Sequence, residues 1–305
     1  MDRLDRYRIF VHVADLRSFI QASNVLDLPR ATVSAAIAQL EHEVGVRLLH
    51  RTTRQVSLTP DGATLLERVR PLLSEAHDIA QLFQTRAHQV SGALTVDVPS
   101  RIARRLVVPA LPALLAHHPR LQLSLGSSDR AIDLVQAGVD CAVRFGAVKD
   151  SSLVQRRLGM VGLVNCASPA YLQAQGVPHH LDDLDAIQGG HWMVGYASPT
   201  TGRTLPWEWQ AADGTPQTLA LAARVIANNV ESYIACARAG LGLIQIPRFD
   251  VADLLQRGEL VEVMPAHCAP PLPVTLLYPH RRQKTRRLSV FMDWFEALMK
   301  PHLDR

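Results

Sequence analysis

Between Ser18 and Thr59 the apolar positions first recur at helical steps and then alternate. Phe19, Ala22 and Leu26 fall three and four residues apart, as one buried helix face requires. Pro29 suits the first position of a second helix, because its fixed φ is already helical. That helix places Val33, Ile37, Leu40 and Val44 on one side, and Gly45 is its natural stop. The opposite side is small and polar: Arg30, Ala31, Thr32, Ser34, Ala35 and Gln39. The stretch from Arg47 to Arg54, followed by alternating Val56 and Leu58, predicts a short two-stranded wing with Arg51 and Arg54 near its tip. An earlier helix over Leu4–Ala14, with Tyr7, Phe10, Val11 and Ala14 inward, packs this unit. The pattern is that of a winged helix-turn-helix over residues 1–59.

A hydroxyl, a proline and an acid at Thr59-Pro60-Asp61 then mark another helix start. Leu65, Val69, Leu72, Ala76, Ile79 and Phe83 follow at alternating four- and three-residue steps, which is a heptad seam. The seam has two readings: a dimerisation surface for a second copy, or packing against the chain's own wing domain. Pro71 is expected to kink this helix or break its ladder. Val90-Ser91-Gly92 reads as its end and a linker, so the linker segment is set at 60–91.

From residue 92 the rhythm becomes strand, helix, strand. Strands are expected at Ala93–Val98, Leu121–Leu125, Asp140–Arg144, Arg224–Ala227, Leu243–Ile246 and Val274–Tyr278. Helices are expected at Arg101–His117, Asp129–Ala137, Val230–Ala239 and Leu288–Met299. This predicts an α/β region with a parallel or mixed sheet covered by helices.

The outer side of the second helix carries the candidate chemistry. Ser and Thr hydroxyls bond phosphates or base edges, and Gln can bond adenine through two contacts. Arg51, Thr52 and Arg54 are placed to hold phosphate. Composition is that of an ordinary globular protein, with 48% hydrophobic and 20% charged residues and a net charge of +4. The basic residues are nearly all arginine, lysine appearing only at Lys149, Lys284 and Lys300. No apolar run of about 18 residues exists to cross a membrane, and the charged N-terminus lacks the apolar core of an export signal, so a cytoplasmic location is expected. Cys141, Cys166, Cys236 and Cys268 show no zinc spacing. Neither a GxSxG elbow, nor HExxH, nor a P-loop is present. The expectation is a non-enzyme with no metal and no cofactor.

Phe19, Ala22, Leu26, Thr32-Val33-Ser34, Ile37, Leu40-Glu41, Gly45-Val46, Leu48, Arg51-Thr52-Thr53-Arg54 and Leu58-Thr59-Pro60-Asp61-Gly62 together resemble the DNA-binding domain of LysR-type transcriptional regulators. Ala35 departs from the larger polar or basic residue found at that place in many members. The resemblance extends more weakly over Asp133-Leu134, Gly138, Asp140–Arg144, Ser168–Leu172, Ala239–Gly242 and Gly258–Val261. It implies a regulatory domain over 92–305 folded like periplasmic solute-binding proteins. Lobe I would span about 92–160 and 267–305, and lobe II about 161–266, with crossovers near Gly159–Val161 and Met264–Cys268.

In open α/β folds ligands sit beyond strand C-termini and at helix N-termini. The positions that answer are Ser100, Arg101, Ser127, Arg144, Phe145, Thr200, Thr201, Asn228 and Asn229. Ser100 and Ser127 equally suit helix caps, and Arg144 equally suits a pair with Asp133 or Asp129. The reading is a DNA-binding regulator of an inverted-repeat operator, modulated by a small-molecule effector and acting as a homodimer or homotetramer. The alternatives are a cytoplasmic small-molecule-binding protein or a redox-responsive regulator using its cysteines.

Overall fold

The computed structural model describes residues 1–51, 56–81, 90–130, 132–148, 153–184, 190–279 and 285–304. The chain divides into two compact units, Met1–His88 and Gln89–Arg305.

The first unit runs α1 (Arg3–Leu16), α2 (Phe19–Leu26), α3 (Arg30–Val44), β1 (Leu49–Arg51), β2 (Val56–Leu58) and α4 (Pro60–Gln81). Asp2 and Asp5 form a reciprocal capping box at the start of α1. That helix is longer than its apolar pattern predicts. It buries Ile9, Phe10 and Val13, while Tyr7, Val11 and Ala14 stay half-buried. Ile9, Phe10, Val13 and Tyr7 meet Ala22, Val33, Ala36, Ile37 and Leu40 in one core. Pro29 is the N-cap of α3, not its first residue: its ψ of 139° is extended, and its carbonyl accepts from the amides of Thr32 and Val33. Val44 is 37% exposed, because the last turn of α3 runs past the core. Gly45, at φ 75°, ends the helix as expected.

Two side chains the apolar pattern does not single out fix the wing. The Glu41 carboxylate is buried and accepts from the amides of Leu48 (2.9 Å) and Leu49 (3.2 Å). Thr59 Oγ1 donates to the Arg47 carbonyl (2.7 Å) and accepts from the Gly62 amide (2.9 Å), so it caps α4 while tying it to the wing. A Cβ at Gly62 would lie 2.0 Å from the Leu48 carbonyl oxygen, so only glycine fits. β1 and β2 pair antiparallel, with Leu49 opposite Leu58. α4 is assigned as continuous helix through position 71, so Pro71 does not end it.

Among the described residues the second unit holds a five-stranded sheet, a three-stranded sheet and two two-stranded ones. The first has the order β4-β3-β5-β14-β6, made of β3 (Ser91–Val98), β4 (Arg120–Ser127), β5 (Cys141–Phe145), β6 (Leu153–Val161) and β14 (Leu272–Pro279). β3 lies parallel to β4 and β5, and β14 lies antiparallel to β5 and β6. α10 (Arg286–Met299) buries Phe291, Met292 and Phe295 against it. The second sheet centres on β7 (Leu163–Ala167), between β12 (Ile244–Pro247) and β13 (Val261–Glu262). β8 (Met193–Tyr196) extends it through a bridge between Met193 and Leu243, and carries β11 (Ala223–Ala227) parallel to itself. β9 (Trp207–Gln210) and β10 (Pro216–Leu219) form a hairpin. The chain leaves the first sheet at Gly162 and returns through the residues around Pro265–His267.

Two expectations fail here. Ser91 and Gly92 are already paired in β3, so they are strand and not linker. The described residues of the segment 129–137 form no helix: Asp133 Oδ1 accepts from Val135 and Gln136 amides, and one turn closes at Gly138 with φ 66°. A single turn fixes too few residues to nucleate a longer helix. Leu134 and Val139 instead plug a small core with Ala142 and Leu277.

Candidate nucleic-acid interface and interlobe crevice

The buried side of α3 is Val33, Ala36, Ile37, Leu40 and Glu41. At about 3.6 residues per turn, the diametrically opposite side is Ala31, Ala35, Ala38 and His42. All four are exposed. Thr32 and Ser34 stand half-buried on the two shoulders of that face, and Arg30 is exposed at its start. Among the described residues neither Thr32 nor Ser34 has a side-chain partner. Gln39 differs: its amide donates to Glu43 (3.2 Å), which also pairs with Arg6 (3.0 Å). Ala38 and His42 were missed by the sequence reading, although the same helical count places them there. Arg51 closes β1. Thr52 and Arg54 lie outside the described residues.

The heptad seam divides. Leu65, with Leu66, packs against the core of its own winged unit, and Val69 is only 2% exposed. For these positions packing within the chain is the observed outcome. Leu72 is 46% exposed and Ala76 half-buried. The side chain of Ile79 and the whole of Phe83 fall outside the described set.

The crevice between the two sheets is bordered by two helix starts. On the first-sheet side, α5 (Ser100–Ile102), a widened π turn at Ala103–Val107 and α6 (Val108–His117) form one helical run. Pro109 has no amide to return to Arg105, which suits a widened turn there. On the second-sheet side stand α8 (Val230–Arg238) and α9 (Arg248–Gln256). Arg101 is buried. Its guanidinium donates to Glu231 (3.1 Å) and twice to the Asp250 main-chain carbonyl, in one case at 2.9 Å. Arg104 forks onto Glu231, with both contacts at 2.9 Å. Arg105 reaches Asp253 at 2.5 Å. Burial lowers the Arg101 pKa against the pull of Asp250 and Glu231. Burial also pushes the Asp250 carboxyl up to about 7, although Arg101 and Arg105 pull it down.

Phe145 meets Phe249 with ring centroids 6.1 Å apart. Asn229 caps α8 through its Oδ1, and Asn228 accepts from Asn229. Thr200 and Thr201 sit in an exposed turn beside the end of β11, where Ala197 donates to the Ala227 carbonyl. Ser127 is exposed at the end of β4, level with Val98. Arg144 does not face the crevice as a free cation, nor does it pair with Asp133 or Asp129. It bonds Asp97 (2.7 Å), a buried carboxylate on the neighbouring strand. Ser100 and Asp129 belong together: the Ser100 amide and hydroxyl both donate to the Asp129 carboxylate. The sequence reading missed Asp129, Arg104, Arg105, Asp250 and Asp253 as crevice residues. Nothing in local pattern marks a charge as paired across separations of 29 to 149 positions.

No group of three His, Cys, Asp or Glu among the described residues is placed to hold a metal ion. No helix among them is long and apolar enough to cross a membrane. Cys141 and Cys166 are buried, and burial pushes both thiols up to about 12.

A winged helix-turn-helix whose third helix leaves one side exposed, joined in sequence to a two-lobed α/β unit, defines a DNA-binding regulator with a ligand-binding type of domain. Comparison with known proteins agrees. The profile described as the bacterial regulatory helix-turn-helix protein, lysR family, matches residues 4–63. The LysR substrate binding domain matches residues 87–300. The chain is 40% identical over 304 residues to an uncharacterized HTH-type transcriptional regulator, YhjC, of Escherichia coli, covering 100% of both chains. It is 34% identical to an HTH-type transcriptional repressor of Pseudomonas aeruginosa, covering 98% of this chain and 92% of that one. The solved structure of CrgA, a LysR-type transcriptional regulator from Neisseria meningitidis, matches with a TM-score of 0.60 at 28% identity, over 96% of this chain and 97% of that one. The chain belongs to the LysR-type transcriptional regulators.

Proposed function

We propose that the chain acts in the cytoplasm as a paired, ligand-responsive regulator, without catalysis of its own. Each α3 enters a major groove at one half of an inverted repeat. The part of α4 that carries Leu72 and Ala76 joins the two copies. A small molecule bound between the lobes shifts how the regulatory units pair, which moves the two heads.

One observation carries this reading. The outer side of α3 is a strip of three alanines ending in His42, flanked by two hydroxyls with no side-chain partner among the described residues. Such a side can approach bases closely, and its hydroxyls are free to bond them. Binding-site selection tests it directly. Thr32→Ala and Ser34→Ala should each change the selected consensus at separate positions. Arg51→Ala and Arg54→Ala should leave the consensus alone and lower the salt slope of binding by about one unit each. An unchanged consensus in both hydroxyl variants would mean that another face reads the DNA. Thiol oxidation is not favoured at Cys141 and Cys166, which are buried and whose pKa burial pushes up to about 12.

A further inference from the structure

One carboxylate sits where the two lobes meet, and it is the chain's own. Asp129 Oδ1 accepts from the Ser100 amide at 2.7 Å. Its Oδ2 accepts from the Ser100 hydroxyl at 2.9 Å and from the Val230 amide at 2.7 Å. Ser100 opens the helical run of one lobe, and Val230 is the first residue of α8 in the other. Asp129 comes from the loop after β4, so it reaches from the first lobe to the second. Amides at helix starts carry partial positive charge, and a carboxylate accepting from such donors is held strongly. Beside it the Arg101–Glu231 and Arg104–Glu231 pairs bridge the same two lobes.

We propose that Asp129 is a built-in latch that occupies the anion seat between the lobes, so that this regulator does not read its effector through a carboxylate at that seat. The inference rests on the reading that an effector binds in this crevice. It adds a restriction on which effectors fit: the seat is already filled by a group of the same chain, so a free carboxylate must displace an intramolecular partner that loses no association entropy. Asp129 therefore both joins the lobes and sets effector specificity.

The test uses the full chain and acetate as the probe. Thermal unfolding is followed for wild type and Asp129→Ala in sodium acetate and in sodium chloride of equal ionic strength. The expected result is a Tm about 5 °C lower for the variant in chloride, partly restored by acetate, with no acetate effect on wild type. Equal acetate responses in the two proteins, or a folded variant that ignores acetate, would overturn the latch. Should Asp129→Ala not fold, Asp129→Asn decides, since it keeps the volume but loses the charge. A lower Tm for it supports the latch, and a Tm equal to wild type overturns it. DNA affinity measured on the same samples separates the two layers. Acetate rescue of Tm with no change in DNA affinity would leave the latch standing and sink the coupling of crevice to DNA. No acetate rescue of the variant's Tm, with operator binding by wild type intact, would overturn the latch and leave the DNA reading standing.

Discussion

The outer side of α3 and the interlobe crevice are both polar surfaces, yet they are built in opposite ways. On α3, Thr32 and Ser34 flank a strip of alanines and have no partner among the described residues. In the crevice, Arg101, Arg104, Arg105, Glu231 and Asp129 are paired with one another. A surface that reads an external duplex keeps its hydrogen-bonding groups available. A surface that must hold two lobes in register spends them internally, and leaves an effector to compete with contacts already made. The heptad seam shows the same split within one helix: Leu65 is used at home, while Leu72 is left exposed.

The contrast can be broken most sharply at the head's scaffold. Gly62→Ala forces a Cβ to within 2.0 Å of the Leu48 carbonyl. It should destabilise the winged unit by about 3 kcal/mol, the upper end of overpacking costs, and abolish DNA binding. Denaturant unfolding and a mobility shift check both halves of that statement. In the crevice, Arg101→Met should cost about 3 kcal/mol, because it removes the buried cation beside the Asp250 carboxyl and leaves Glu231 to Arg104 and the Asp250 carbonyl to Arg105 alone. Arg104→Ala removes an exposed fork to the same Glu231 and should cost less than about 1 kcal/mol. Equal effects of the two substitutions would mean that burial does not set the strength of this array.

A smaller effect comes from Asp250. Its folded pKa, about 7, lies above the ordinary value of 3.8 because the carboxyl is buried. The folded state thus holds its proton more tightly than the unfolded chain does. The contribution of this group is fully present below about pH 4 and is lost as pH rises through about 7. Asp250→Asn keeps the main-chain carbonyl that Arg101 and Arg105 use. Its Tm relative to wild type should therefore be higher at pH 8 than at pH 5. A Tm difference that is flat with pH would show that Asp250 ionises normally.

The head was largely legible in sequence because its signals are local. Helical spacing, Gly45 and the Thr59-Pro60-Asp61 start each act within a few residues. What escaped was of two kinds. Glu41, which locks the wing, is a charge at a buried position, and periodicity alone reads it as solvated. Pro29 has a φ suited to a helix, but its extended ψ places it outside α3. In the regulatory unit the strands and helices near α8, β12 and α10 followed from pattern. The segment 129–137 did not, because Asp133 and Gly138 close a single turn whose apolar residues mimic a helix face. The crevice residues were named singly from their places at strand ends. Their partners were not, since Asp129 meets Ser100 and Val230 across 29 and 101 positions.

Ala35 lies at the centre of the exposed side of α3, away from the head's core, so replacing it perturbs recognition without touching the fold. The decisive measurement is the affinity of Ala35→Glu for an operator obtained by selection, with circular dichroism and sedimentation as controls. The account predicts unchanged folding and assembly with binding weakened at least about 100-fold, since a carboxylate there faces bases and phosphates. Wild-type affinity in a folded, correctly assembled variant would show that this side of the helix does not meet DNA.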